Sequence, residues 1–241
     1  MQIDKDKCIG CKKCIPYCPV GAITATGKET AIELDECVEC GNCFRFANCP
    51  KGAIYEQPLE WPRSLRKDLS NPTWSNPTTK GSGRGTAEMK TNELTGRIRE
   101  GAAGICIEMG RPTTGVRMRD VQTVLMMLKK SGVPFHVEKL NPLHFVIKNE
   151  ETGELKEEVL DEKLLSIIIE FAVASGQLLQ ILDVVKEAAK CIDTVFSVCC
   201  VTRCKDDGTL DNIEILEKNG YYVSPNAKVN VGLGRPKYVE E

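Results

Sequence analysis

Apolar and polar positions along these 241 residues are most regular in the middle of the chain. Residues 103–109 form a continuous apolar run that predicts a strand, ended by Gly110-Arg111-Pro112. Val121, Val124, Leu125 and Leu128 then recur at i, i+3, i+4 and i+7, one face of a helix, with Gly132 and Pro134 as stop signals. Residues 135–138 and 143–148 predict strands split by Asn141-Pro142, and the polar stretch 149–153 predicts a hairpin turn into 155–159. A second unit repeats the first. Residues 165–171 read as a buried strand, Leu178, Ile181, Leu182, Val185 and Ala189 as a helical face after Ser175-Gly176, and 195–202 as a last strand. Strand–helix–strand twice over predicts a βαββαβ sandwich across residues 102–205, an antiparallel sheet with both helices on one face. Residues 206–241 add a helix, with Asp211 as candidate cap, a candidate edge strand at Tyr221-Tyr222-Val223, and a glycine-rich tail.

Residues 58–101 lose this periodicity. Trp61-Pro62, Asn71-Pro72, Asn76-Pro77 and the run from Lys80 to Gly85 predict an irregular arm. A connection of this length is functional or partner-bound, and Trp61 and Trp74 are its candidate docking anchors, either back on the chain's own domains or on another subunit. Gly81, Gly83 and Gly85 follow no predicted strand, so they read as a flexible basic turn rather than a phosphate loop. Lys90, Arg97 and Arg99 read as a solvated basic face.

The first 57 residues carry the chemistry. Cys8, Cys11, Cys14 and Cys18 stand at C-x₂-C-x₂-C-x₃-C, followed by Pro19. Cys37, Cys40 and Cys43 repeat the triplet twenty-nine residues later, and Cys49-Pro50 closes the second set. Cys18-Pro19-Val20-Gly21-Ala22-Ile23 matches Cys49-Pro50-Lys51-Gly52-Ala53-Ile54, so the segment is an internal duplication. Gly10 and Gly41, each between cysteines of its triplet, permit the left-handed backbone that a tight ligand loop needs. The competing reading of C-x₂-C is a pair of zinc knuckles, against which the duplicated triplets and Cys-Pro pairs favour iron–sulfur ligation.

Residues 1–57 resemble bacterial-type ferredoxins with two [4Fe–4S] clusters. The resemblance implies one cluster on Cys8, Cys11, Cys14 and Cys49, and a second on Cys37, Cys40, Cys43 and Cys18. One departure stands out: five residues, Phe44 to Asn48, precede Cys49 where the simple pattern has three. Those two extra residues make the halves inequivalent and predict two different potentials. Residues 102–205 have the topology of ferredoxin-like sandwiches and resemble, by topology alone, ACT-type small-molecule-binding or dimerising modules. The fold class expected is thus α+β, a two-cluster ferredoxin domain plus an ACT-like sandwich joined by the arm.

Composition narrows the function. With 32 basic and 34 acidic residues, no global field favours nucleic acid or an anionic membrane. Two histidines leave little for His-based catalysis. Thirteen cysteines without an apolar leader, and an apolar stretch at 164–185 broken by Glu170, argue for a reducing cytoplasm and against a membrane span. Exposed cubanes are oxygen-labile as a class, which suits an anaerobic host. Five further cysteines, Cys106, Cys191, Cys199, Cys200 and Cys204, read as core residues, an additional metal site or a thiol switch. Cys199 and Cys200 should point to opposite faces of a strand, which opposes chelation of one metal. The expectation is an electron-transfer subunit of a partner oxidoreductase, with a homodimer through the ACT-like domain as a further possibility. The alternatives are a ligand or redox sensor using the ACT-like domain, and an enzyme with an extra cluster near Cys199, Cys200 and Cys204.

Overall fold

A computed structural model describes residues 1–74, 98–111, 113–137, 141–203, 205, 207 and 209–225 of an α+β chain. The Gly81–Gly85 run, Lys90, Arg97, Cys204 and the glycine-rich tail lie outside the described residues.

The N-terminal unit contains β1 (Gln2–Ile3), β2 (Ile23–Thr26), β3 (Glu29–Ile32), α1 (Asn42–Phe46) and β4 (Ile54–Tyr55). β1 pairs with β4 and β2 with β3, both antiparallel. The first pairing ties the entry of one repeat to the exit of the other, so neither half stands alone. Met1, Ala22, Ile23, Ala47 and Ile54 pack with Cys37 and Cys43 in a small core. The two extra residues of the second repeat are taken up by secondary structure. Where the first repeat has a 3₁₀ turn at Ile15–Tyr17, the second has the longer α1.

Prolines 62 and 72 flank a helix, α2 (Ser64–Ser70), inside the stretch expected to be irregular. Its only apolar residues, Leu65 and Leu69, are four apart and both enter the main core. A single i, i+4 pair between prolines is too short to register as a period.

The C-terminal unit follows as β5 (Ala102–Met109), β6 (Val116–Arg117), α3 (Met118–Lys130), β7 (Ile147–Asn149), β8 (Glu154–Leu155), β9 (Lys163–Leu164), β10 (Ile167–Ala174), α4 (Leu178–Ala188), β11 (Phe196–Val201) and α5 (Asp211–Lys218). β5 is central, with β10 and β11 antiparallel on either side. Ile105, Ile107 and Met109 pack with the apolar faces of α3 and α4, which therefore share one side of the sheet. β7 and β8 form the expected hairpin and β6 pairs with β9.

Three expectations fail here. Residues 135–137 and 143–148 do not form the fourth, edge strand of the predicted sandwich. Pro142–Val146 is a 3₁₀ turn, its Asn141 cap accepting from Leu143 N at 2.9 Å and donating to Ile168 O at 2.7 Å. Pro134 and Pro142 lack the N–H a ladder requires, and the Asn141 amide serves the β10 carbonyl in place of a strand. Phe135 is instead held by its ring, 4.2 Å from that of Phe171. Tyr221 joins no strand; its hydroxyl donates to Asp183 at 2.6 Å. α5 begins at Asp211, with Leu210 in the capping position.

Candidate metal centre

Each cysteine triplet is wound by two left-handed residues. In the first loop these are Gly10 (φ +65°) and Lys12 (φ +61°), and in the second Glu39 (φ +55°) and Gly41 (φ +73°). The glycines occupy different places of the repeat; each stands opposite a non-glycine with the same backbone. Gly10 is the more constrained, because a β-carbon there would collide with the Lys28 carbonyl oxygen. Glu39 is held in its unfavourable conformation by its side chain, which is 1% exposed and pairs with Arg63 at 2.6 Å and with the Met1 amino group.

These windings gather the eight cysteines into two quartets. Cys18, Cys37, Cys40 and Cys43 line a cavity walled by Val20, Ala22 and Ile23. Cys8, Cys11, Cys14 and Cys49 line another with Ile3, Ile9 and Thr30. In each quartet three thiols come from one triplet and the fourth from the other repeat. Among the described residues no three His, Cys, Asp or Glu side chains converge at the spacing of a single ion. Structural zinc needs four ligands near 2.0–2.3 Å of one point; thiols standing around a cavity suit a cluster of several irons.

The donor set fits such a cluster. The Ala22 N–H donates to Cys18 Sγ at 3.1 Å and the Ala53 N–H to Cys49 Sγ at 3.4 Å, the same contact in both repeats. Burial opposes ionisation of Cys49, but the N–H groups of Ala53, Lys51, Gly52 and Ile54 outweigh it and hold the thiol below its ordinary pKa. Burial pushes Cys43 up to about 12, with the Cys37, Cys40 and Cys18 thiols adding to it, and pushes Cys37 up to about 11, with Glu39 adding. Cys40 and Cys14 are raised by burial as well. Thiols held protonated in this way bind iron as thiolates, giving up their protons to solvent as the metal enters.

The quartets differ in solvent access. Cys37, Cys40 and Cys43 are 8, 7 and 7% exposed, whereas Cys11 is exposed and Cys8, Cys14 and Cys49 are half-buried. Three arginines roof the buried quartet. Arg66 of α2 donates to the carbonyls of Leu34, Asp35 and Cys37 at 3.2, 2.7 and 2.9 Å and pairs with Glu162. Arg45 donates to Cys40 O at 2.8 Å, and Arg63 to Leu34 O at 2.9 Å. The C-terminal unit adds Arg117, which meets Asp35 at 2.6 Å and Glu36 at 2.7 Å, and Lys163, which meets Glu36.

The sequence model of the family described as 4Fe-4S binding domain matches residues 1–24, a segment that contains Cys8, Cys11, Cys14 and Cys18. Residues 1–24 are a ferredoxin-type iron–sulfur segment. Its role in general is electron transfer through a 4Fe–4S cluster. No curated protein and no solved structure matches the chain. No helix among the described residues is long and apolar enough to cross a membrane.

The later cysteines among the described residues stay apart from the quartets. Cys106 and Cys199 face each other across β5 and β11 and share a small cluster with Ile98 and Ile168. Cys200 turns to the opposite face and packs on the main core, where burial pushes it up to about 11. Cys191 is exposed at the end of α4. Trp61 and Trp74, expected as docking anchors, contact their own chain: Lys156 lies over the Trp61 ring, and the Trp74 N–H donates to Asp68 at 2.8 Å.

The roofing residues escaped the sequence reading. Arg63 and Arg66, three apart beside Leu65 and Leu69, were a detectable signal: a basic edge on a helix that follows a run of acidic residues.

Proposed function

We propose that the chain is an electron-transfer protein that holds two [4Fe–4S] clusters and exchanges electrons with a partner oxidoreductase. Cys8, Cys11, Cys14 and Cys49 would hold one cluster, and Cys18, Cys37, Cys40 and Cys43 the other. The observation that carries this reading is the crossed quartet: each cavity takes its fourth thiol from the opposite repeat. When bound, each cubane supplies a reversible one-electron carrier.

The chain's own residues set the conditions for that chemistry. Ala22 and Ala53 aim N–H groups at ligand sulfurs, which stabilises negative charge there. Arg45, Arg63 and Arg66 bind the loop carbonyls and exclude water from the buried triplet. Differing exposure then gives the two sites different potentials.

Anaerobic reconstitution tests the proposal. The chain should bind about eight irons and eight sulfides, and a reductive titration followed by EPR should resolve two steps. About four irons would remove one quartet, and a single step would remove the inequivalence. Anaerobic purification from the native source should recover a larger oxidoreductase with the chain; a chain isolated only as a free dimer would end the subunit reading.

A further inference from the structure

Charge is divided sharply between the two cysteine loops. Residues 7–28 contain four lysines and no acidic residue, and residues 29–43 contain five acidic residues and no basic one. The acidic loop is already engaged. Asp35 and Glu36 are met by Arg117 and Lys163, and Glu39 by Arg63, all from beyond residue 57. Its triplet is buried beneath those contacts.

The basic loop has no such cover. Lys12 and Lys13 line the cavity of the exposed quartet, and Ile9, 56% exposed, stands at the same cavity. Lys28 sits in the turn that packs on Gly10, and Lys51 is two residues from Cys49. Lys12, Lys13, Lys28 and Lys51 are exposed, and none of them forms an ion pair with a described residue. The acids beside this face are Asp4, which pairs with Lys7 at 2.8 Å, and the exposed Asp6 and Glu29, the latter next to Lys28 in the chain. An apolar tip ringed by unpaired cations, over the more accessible thiols, has the layout of a transient docking surface.

Resting on the proposed function, we infer that this face docks an acidic redox protein, and that electrons enter or leave the chain through the Cys8, Cys11, Cys14 and Cys49 site. The partner presents carboxylates around its own centre, just as the acidic loop of this chain presents carboxylates to Arg63, Arg117 and Lys163. The buried site is then the inner end of the path, against the C-terminal unit.

The test uses the full chain, reconstituted and reduced anaerobically, mixed in stopped flow with an acidic blue-copper protein or with a basic c-type cytochrome. The rate with the acidic acceptor should fall about tenfold or more as salt rises from low to moderate ionic strength, and should fall comparably in K12E/K13E at low salt. The rate with the basic acceptor should rise in that variant. K28Q/K51Q, whose changes lie outside the triplet, should lower the acidic-acceptor rate in the same sense even where K12E/K13E loses iron. K218E, on α5, should leave both rates within about twofold of the unaltered chain. A chain that reduces and reoxidises but shows the opposite salt dependence, or is indifferent to the lysine changes, overturns the docking surface and leaves the electron carrier standing. A chain that binds no reducible iron overturns the carrier itself.

Discussion

The Arg66 guanidinium donates to the Cys37 carbonyl at 2.9 Å while its Nε meets the Glu162 carboxylate. One side chain, 3% exposed, thus ties the loop of Cys37 to the C-terminal unit. Removing one member of a buried pair leaves the other charge uncompensated, at a cost of about 3–5 kcal/mol. R66M should therefore lower the unfolding free energy by about 3 kcal/mol, measured by urea denaturation under anaerobic conditions. R66M/E162M should recover part of the loss. An R66M chain as stable as the parent would show that the roof contributes nothing.

Gly10 predicts a selective defect. An alanine there adds strain from positive φ and a collision with the Lys28 carbonyl, together at least about 2 kcal/mol. Because the collision is confined to the first triplet, G10A should bind about half the iron of the parent, with the second site retained. G21A has positive φ too but open space around it, and should bind nearly the full complement. Iron and sulfide assays decide between these outcomes.

The acidic loop predicts a pH dependence. The Arg117 hydrogen bond holds Asp35 below its ordinary pKa, and the Lys163 hydrogen bond does the same for Glu36. Both folded values lie below the unfolded ones of about 3.9 and 4.3. Their stabilisation is present above that range and is lost as pH falls through the folded values. The melting-temperature gap between the parent and D35N/E36Q should hold steady from pH 7 to about 5 and shrink as pH falls from there towards 3, and should shrink with salt at pH 7. Asp120, raised by burial, acts in the opposite sense but equally in both proteins, so it drops out of the gap.

Tyr221 supplies an alkaline counterpart. Burial, and then its hydrogen bond to Asp183, push its phenol up to about 12. The neutral hydroxyl is the donor, so the contact is present below the unfolded value of about 10 and is lost as pH rises through about 12. Tyrosinate absorbance should show one of the five tyrosines titrating late, and Y221F should remove that step.

Continuous periodicity made much of this legible from the chain alone. The strand at β5 and the faces of α3 and α4 needed only local spacing. The grouping of the cysteines came from the resemblance to two-cluster ferredoxins, whose pattern takes the fourth cysteine of each set from the other repeat. The missing edge strand was hidden by apolar residues on both sides of Pro142, whose side-chain burial looks the same whether or not the backbone joins a ladder. The roof was hidden by distance: Arg66 and Cys37 are 29 residues apart, Arg117 and Asp35 are 82, and Lys163 and Glu36 are 127. No spacing rule reaches that far.

α2 bears on how this chain can be divided. Leu65 and Leu69 are embedded in one core while Arg66 grips the carbonyls over the other. Cutting after residue 57, where the cysteine duplication ends, would strip the lid from the inner thiols and leave Arg66 without the loop carbonyls it grips. The cysteine-rich part is therefore not interchangeable with a free-standing small carrier. Its water-tight half is built by residues that belong, in sequence, to something else.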